Sequence, residues 1–238
     1  MKVLVTGGNG FIGKELVLSM LHQGSHMPVS GVRKKNKDEN NSDEIKVVEL
    51  GNLEEVADRR DLLRGIDVII HTAARVHEAK ENTKKSATKY QKINVDATLN
   101  LALDAIEVGV KRFIFLSSIK VNGEYTVRDE HFDSHVKKLP VDPYGLSKYE
   151  AEELLYNQAK ATSTEFVILR PPMIYGRGVK GNLVSLIKSV SRGIPLPFGS
   201  IKNLRSLLSI TNLVDIISVV MIHPKAANEV FVVADEFC

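Results

Sequence analysis

The chain has no tryptophan and one cysteine, Cys238, in 238 residues. A single thiol cannot form an internal disulfide, so the fold has to rest on a packed core. Such cysteine usage fits a reducing compartment, and a cytoplasmic location is the expectation. No apolar run approaches the ~20 residues a membrane-spanning helix needs. Charge of one sign is also missing: 32 basic and 29 acidic residues leave a net charge of +3. That balance, with no basic face interleaved with aromatics, argues against a nucleic-acid partner. The first residues read as a core strand, not as a charged segment followed by an apolar leader, so no signal peptide is expected. What is present is ordinary for a globular protein: 43% hydrophobic and 26% charged residues, in a chain long enough for one domain plus a small lobe.

Strand and helix patterns alternate along most of the chain. Strands are expected at 2–6, 28–32, 45–50, 67–71, 112–116 and 165–169, and most are apolar without alternation. Such strands are covered on both faces, which points to a parallel, doubly wound Rossmann-like α/β sheet with ligands at the strands' carboxyl ends. The intervening helices are expected at 14–22, 54–63, 87–108 and 143–160. The 87–108 pattern places Ile93, Ala97, Leu101 and Ala105 on one face. Residues 75–85 and 122–141 read as loop. Past Pro172 the pattern changes to a glycine-rich loop at 175–181, a helix at 183–191, an extended stretch at 194–198, a short strand at 207–210, a helix at 212–222 and a strand at 229–234. The division expected is a dinucleotide-binding domain over 1–171, a small substrate lobe over 172–210, and a helix and strand over 211–238 returning to the sheet.

The stretch MKVLVTGGNGFIG opens this architecture. Gly7, Gly10 and Gly13 lie between a strand and a helix, the context in which such glycines carry meaning. Gly7 permits the tight turn, Gly10 lets backbone approach a pyrophosphate, and Gly13 lets the helix pack close to the strand. Amides at the helix start then face the phosphates. At the end of the second strand, Gly31 stands where an acid would bind a ribose 2′-hydroxyl, and Arg33 follows it in the basic run Arg33, Lys34, Lys35 and Lys37. An absent acid and a nearby guanidinium predict that NADP is accepted as well as NAD. The rest of the basic run reads as solvated loop.

Tyr144 and Lys148 form Y-G-L-S-K, four residues apart and so on one helix face. An ammonium beside a phenol favours the phenolate, which would bring tyrosine from its usual ~10 toward neutral pH as an acid/base. Ser118, just past a strand end, is placed to hydrogen-bond the same substrate oxygen. His131 and His135 have a metal-like spacing without a carboxylate-rich partner helix, so a polar loop is expected and no metal site. His71 ends a buried strand and reads as a satisfied core histidine.

These residues carry a resemblance. Segments 6–13 (TGGNGFIG), 71–74 (HTAA), 93–98 (INVDAT), 111–123 (KRFIFLSSIKVNG), 143–148 (PYGLSK) and 170–176 (RPPMIYG) are similar, in order, to those of the extended short-chain dehydrogenase/reductases. Within these the likeness is to the nucleotide-sugar epimerases and reductases of the UDP-glucose 4-epimerase type. The resemblance implies that Tyr144 is the acid/base, that Lys148 binds the nicotinamide ribose and tunes it, and that Ser118 is the third member. It places Phe11, Ile12, Thr72, Ala73, Ala74 and the supporting Asn94 along NAD or NADP, with Pro172 and Ile174 flanking the nicotinamide. Asn52, in place of the usual Asp, and Leu53 fall on the adenine side. By the same resemblance, Lys120, Asn182 and the diphosphate-binding Arg205 join Ser118 and Tyr144 on a UDP-linked nucleotide-sugar substrate. It further implies a homodimer through the 87–108 and 144–160 helices.

Two departures narrow the reading. The family's 4,6-dehydratases carry an acidic pair after the serine position, where this chain has Ile119 and Lys120, so water elimination loses its acid and base. Family members usually run longer, and residues expected beyond Cys238 to hold the nucleotide are absent, as in a truncated chain or a reduced lobe. The expectation is a UDP-hexose 4-epimerase. An NADPH-dependent 4-ketoreductase of a nucleotide 4-keto-6-deoxy sugar and a non-catalytic dinucleotide-binding regulator stay open beside it.

Overall fold

A computed structural model describes residues 1–35, 45–55, 57–76, 84–127, 130–179, 181–196, 199–200 and 203–236. Lys37 and the expected extended positions 197–198 lie outside the described residues, as do the side chain of Asn182 and residue Cys238. The main sheet is formed by β1 (Lys2–Thr6), β2 (Met27–Val32), β3 (Lys46–Glu49), β4 (Val68–His71), β5 (Arg112–Leu116), β6 (Glu165–Arg170) and β9 (Val230–Val232). Its order is β3-β2-β1-β4-β5-β6-β9, and all pairings are parallel. The chain therefore crosses over β1 between β3 and β4. The carboxyl ends of β1 and β4 flank that switch point, where open α/β sheets bind ligands.

Side chains of a strand alternate between faces, and here both faces are apolar. Val3, Val5, Ile70, Ile114 and Val167 pack with Leu16, Val17 and Met20 of α1 (Phe11–Gln23) and with Leu213 and Ile217 of α7 (Ile210–Val220). Leu4, Ile69, Phe113, Phe115 and Phe166 pack on the other face. They meet Leu63 of α2 (Arg60–Leu63), Leu101 and Ala105 of α4 (Ala97–Glu107), and Leu155 of α5 (Pro143–Ala161). A second, two-stranded sheet joins β7 (Met173–Tyr175) to β8 (Leu207–Ser209), with α6 (Asn182–Ser191) between them in sequence. Asp235 ties this sheet to the return path: its carboxylate accepts from Tyr175 Oη (2.9 Å), the Ser209 amide (3.0 Å) and Asn212 Nδ2 (2.6 Å).

Three expectations are corrected. The helix at 54–63 shrinks to Arg60–Leu63. The buried Arg59 guanidinium draws in the carbonyls of Leu50 (3.0 Å), Asn52 (2.9 Å), Glu55 (3.2 Å) and Ala57 (3.1 Å), which wraps this stretch around the guanidinium instead of along a helix axis. The single helix at 87–108 begins earlier, at α3 (Lys84–Tyr90), and is interrupted by a π-helical turn at Gln91–Asp96 before α4. The wide turn re-phases the inward face, so Asn94 and Val95 are buried while Ile93 is only half-buried. Tyr175, read as the start of the 175–181 loop, instead ends β7 (Met173–Tyr175), because β8 offers that strand a parallel partner.

Candidate active site

The glycine turn is built as its residues dictate. Gly7 has φ +70°, and a Cβ there would lie 3.1 Å from the Ala73 amide nitrogen and 3.2 Å from Thr72 Oγ1. At Gly13 a Cβ would lie 2.2 Å from the Gly7 carbonyl oxygen, so only glycine lets α1 start this close to β1. The N-cap of α1 is Gly10, which contributes no side-chain cap, and the first turn holds no acidic residue. Its amides therefore point out unscreened toward any anion at the turn. Thr6, Thr72 and Ala73 knit the ends of β1 and β4 together: Thr72 Oγ1 donates to the Thr6 carbonyl (2.7 Å), and the Ala73 amide donates to Thr6 Oγ1 (3.3 Å). His71 bonds Thr6 Oγ1 through Nδ1 (2.8 Å) and Thr98 Oγ1 through Nε2 (3.1 Å). Burial, and then Lys148, hold its pKa down at about 3, so it is the neutral core histidine expected. A cradle that a Cβ would fill, facing an uncapped helix start, fits the pyrophosphate of a dinucleotide.

On the other side of the switch point, Ser118 follows β5 and Tyr144 opens α5. The Ser118 side chain comes near enough to the Tyr144 phenol to oppose a rise in its pKa. Tyr144 is half-buried as a residue, and desolvation of its phenol pushes its pKa up to about 12, against the lowering effect of Ser118. The expected drift of the phenol toward neutrality is thus reversed in the ligand-free chain. Lys148, one turn on, is fully buried; its Nζ donates to the Leu116 carbonyl (2.9 Å) and stands 4.4 Å above the Phe115 ring centre. Desolvation pulls its pKa down to about 7, opposed by Glu152. Asn94, carried inward by the π-helical turn, grips the Arg75 backbone at both ends (2.9 and 3.1 Å) and donates to Ser147 Oγ (3.0 Å).

The remaining expected residues divide. Phe11 and Ile12 are half-buried in the first turn of α1, and Pro172 and Ile174 are half-buried after β6. Asn52 and Leu53 sit in the loop that Arg59 holds. Lys120 lies in a short 3-10 turn, Ile119–Val121, ion-paired with Glu124. Arg33 is exposed just after β2, and Arg205 is exposed before β8. Gly31 is corrected: it is buried within β2, where a Cβ would lie 2.7 Å from Leu50 Cδ1. It is a packing glycine, not a vacated acid position. Among the described residues no group of side chains is set to hold a metal ion, and no helix is long and apolar enough to cross a membrane. The reading from spacing missed Glu152 and Arg59. Their only signal was a charged residue at a position the helix or loop turns inward.

Fold and site together define a Rossmann-type dehydrogenase/reductase with a Ser–Tyr–Lys set. The family model described as the NAD dependent epimerase/dehydratase family matches residues 3–234, and the chain belongs to that family. Over 234 residues it is 47% identical to a UDP-glucose 4-epimerase of Vibrio cholerae, spanning 98% of this chain and 70% of that one. An N-acetyl-alpha-D-glucosaminyl-diphospho-ditrans,octacis-undecaprenol 4-epimerase of Escherichia coli O157:H7 is 28% identical over 98% of this chain and 67% of its own. Among solved structures, a UDP-glucuronic acid 4-epimerase from Bacillus cereus, in complex with UDP-glucuronic acid and NAD, shares the fold. Its TM-score is 0.84 at 24% identity, covering 99% of this chain and 78% of that one.

Proposed function

We propose that this chain is a UDP-hexose 4-epimerase that inverts the sugar at C4 with NAD. The observation that carries the reading is the gathering of Ser118, Tyr144 and, one turn along, the buried Lys148 at the carboxyl end of β5, in the same sheet as the glycine cradle. The 47% identity to a UDP-glucose 4-epimerase directs it to C4 and to a UDP-linked sugar. NAD, when bound, supplies a hydride acceptor and donor. Gly7, Gly10 and Gly13 would hold its pyrophosphate with the amides of α1, and Phe11, Ile12, Thr72, Ala73, Ala74 and Asn94 would lie along it. Asn52 and Leu53 would take the adenine side, Arg33 the ribose, and Pro172 and Ile174 the nicotinamide. NADP in place of NAD has only Arg33 in its favour, since Gly31 is a packing residue.

Tyr144 Oη moves the C4 hydroxyl proton. Burial keeps it a phenol in the free chain, so it acts as a base only with positive charge at its face. Lys148 is the chain's own cation there, and a pKa of about 7 puts its proton in play near neutrality. Ser118 donates to the same sugar oxygen, and the phenol returns the proton when C4 is reduced again. Lys120, Asn182 and Arg205 would grip the substrate, Arg205 as a fork on the diphosphate. The reading carries with it the three-part division at residues 171 and 210, a cytoplasmic location supported by the single cysteine, and a homodimer through α3–α4 and α5. The test is incubation with UDP-glucose without added cofactor, following UDP-galactose by proton NMR; the epimer is expected to form. NADPH consumption with a UDP-4-keto-6-deoxy sugar and no epimer would make the chain a 4-ketoreductase. Silence in both assays would leave a dinucleotide-binding regulator.

A further inference from the structure

We propose that Glu152 and Arg170 are positioning residues of the active site, their buried ion pair locking the serine segment to the helix that carries Tyr144 and Lys148 and setting a carboxylate one turn from the Lys148 ammonium. Both side chains are 4% exposed. Arg170 Nε lies 3.0 and 3.1 Å from the two Glu152 oxygens, and Nη2 lies 2.5 Å from Oε2. Ser117 Oγ donates to Oε1 of the same carboxylate. The remaining guanidinium nitrogen, Nη1, donates to Asn122 Oδ1 (3.3 Å) and the Ser134 carbonyl (2.9 Å). One pair thus joins four segments: the end of β5 next to Ser118, the end of β6 before Pro172, the stretch at Asn122 and Ser134, and α5. On α5, Tyr144, Lys148 and Glu152 follow at successive turns of one face.

Fold stability does not account for the pair. A buried ion pair is often matched or bettered by apolar residues of similar volume, because two charges must be desolvated. Its geometry and field are what apolar residues cannot supply. Lys148 shares a helix face with Tyr144 and feels Glu152 on its own helix, the neutral His71 on β4, and the Leu116 carbonyl and Phe115 ring on β5. On β6 the facing charge is Arg170, whose guanidinium is already engaged by Glu152. Burial works against the ammonium, and the Glu152 carboxylate is the charge that sustains it.

The proposal rests on the epimerase reading for its kinetic arm alone. The decisive variant is Glu152→Leu with Arg170→Met, which removes both charges at once and is expected to fold with a near-native melting temperature. Its turnover should fall about tenfold or more. The alkaline limb of the pH–rate profile should move toward acid by about one unit or more, because Lys148 loses its proton earlier. The same shift should appear in the 13Cε resonance of Lys148 titrated in the cofactor-free protein, an assay that needs no catalysis. Glu152→Asp, which keeps the charge, should hold that midpoint near the wild-type value. An unmoved Lys148 midpoint in the double variant overturns the proposal whatever happens to turnover, and so does a double variant that does not fold. A shifted midpoint in a chain without epimerase activity would uphold the positioning role and sink the functional reading.

Discussion

At the scale of single residues, Tyr144 and Lys148 show function set against stability. Tyr144→Phe keeps the ring in its packing beside Tyr90, whose centroid is 5.9 Å away, and deletes only the oxygen that moves the proton. Turnover should fall by roughly 10²-fold or more, with cofactor affinity nearly unchanged. Near-native turnover in a chromatographically pure variant would remove the tyrosine from the mechanism. Lys148 makes the converse prediction. Its pKa is about 7 in the fold against an ordinary 10.5. Between those values the unfolded chain holds a proton that the folded chain does not. This group's contribution to stability therefore rises as pH climbs through that window, and is least favourable below it. Lys148→Met removes the term. The variant should melt at a higher temperature than wild type at pH 7, show a flatter dependence between pH 7 and 9, and be inactive. Parallel melting curves for the two proteins across that range would show that the buried ammonium carries no such cost.

Elements, not isolated side chains, assemble the site, and the start of α1 is the sharpest case. Gly13→Ala would set a methyl 2.2 Å from the Gly7 carbonyl oxygen and 2.8 Å from its carbon. Neither is the end of a flexible side chain, so the turn has to open. Cofactor affinity measured by calorimetry should drop about tenfold or more, about 1.4 kcal/mol or above, while the far-ultraviolet spectrum stays native. Unchanged affinity would mean that the turn does not hold the pyrophosphate. This element was legible because glycine spacing between a strand and a helix has one geometric meaning. The apolar strands were legible too, since Val3 and Leu4 face opposite layers that are both buried. The π-helical turn at Gln91–Asp96 was not: its residues have ordinary helical patterning, and only tertiary contacts from Arg75 and Ser147 to Asn94 reward the extra residue. Nor was the loop at 50–55, whose shape is imposed by Arg59 reaching back to carbonyls that sequence periodicity does not register. The Glu152–Arg170 pair was hidden in the same way. Each partner alone looks like a surface charge, and only the meeting of α5 with β6 buries them together.

At the scale of the whole molecule, the proposed homodimer makes a prediction for the outer side of α3–α4 and α5. Gln91 and Val95 of the π-helical turn and Tyr149, Glu150, Glu153 and Leu154 of α5 line a shared groove. Leu103 on α4 and Tyr156 on α5 are 40% and 47% exposed. Two copies meeting through this face would form a four-helix contact that covers these side chains, in keeping with a two-fold, self-complementary interface. Sedimentation equilibrium at micromolar concentration should give about twice the 26.4 kDa chain mass. Leu154→Glu places a charge in the groove without touching the sheet, and should shift the protein to monomer. The same groove wall bears on the active site: the turn that presents Val95 to the groove carries Asn94 inward to Arg75 and Ser147, and Tyr149 neighbours Lys148 in the chain. The monomeric variant should therefore lose turnover as well as mass, with its melting temperature becoming independent of protein concentration. A wild-type chain that sediments as a monomer at concentrations where it is fully active would sink the dimer and leave this face without a role in catalysis.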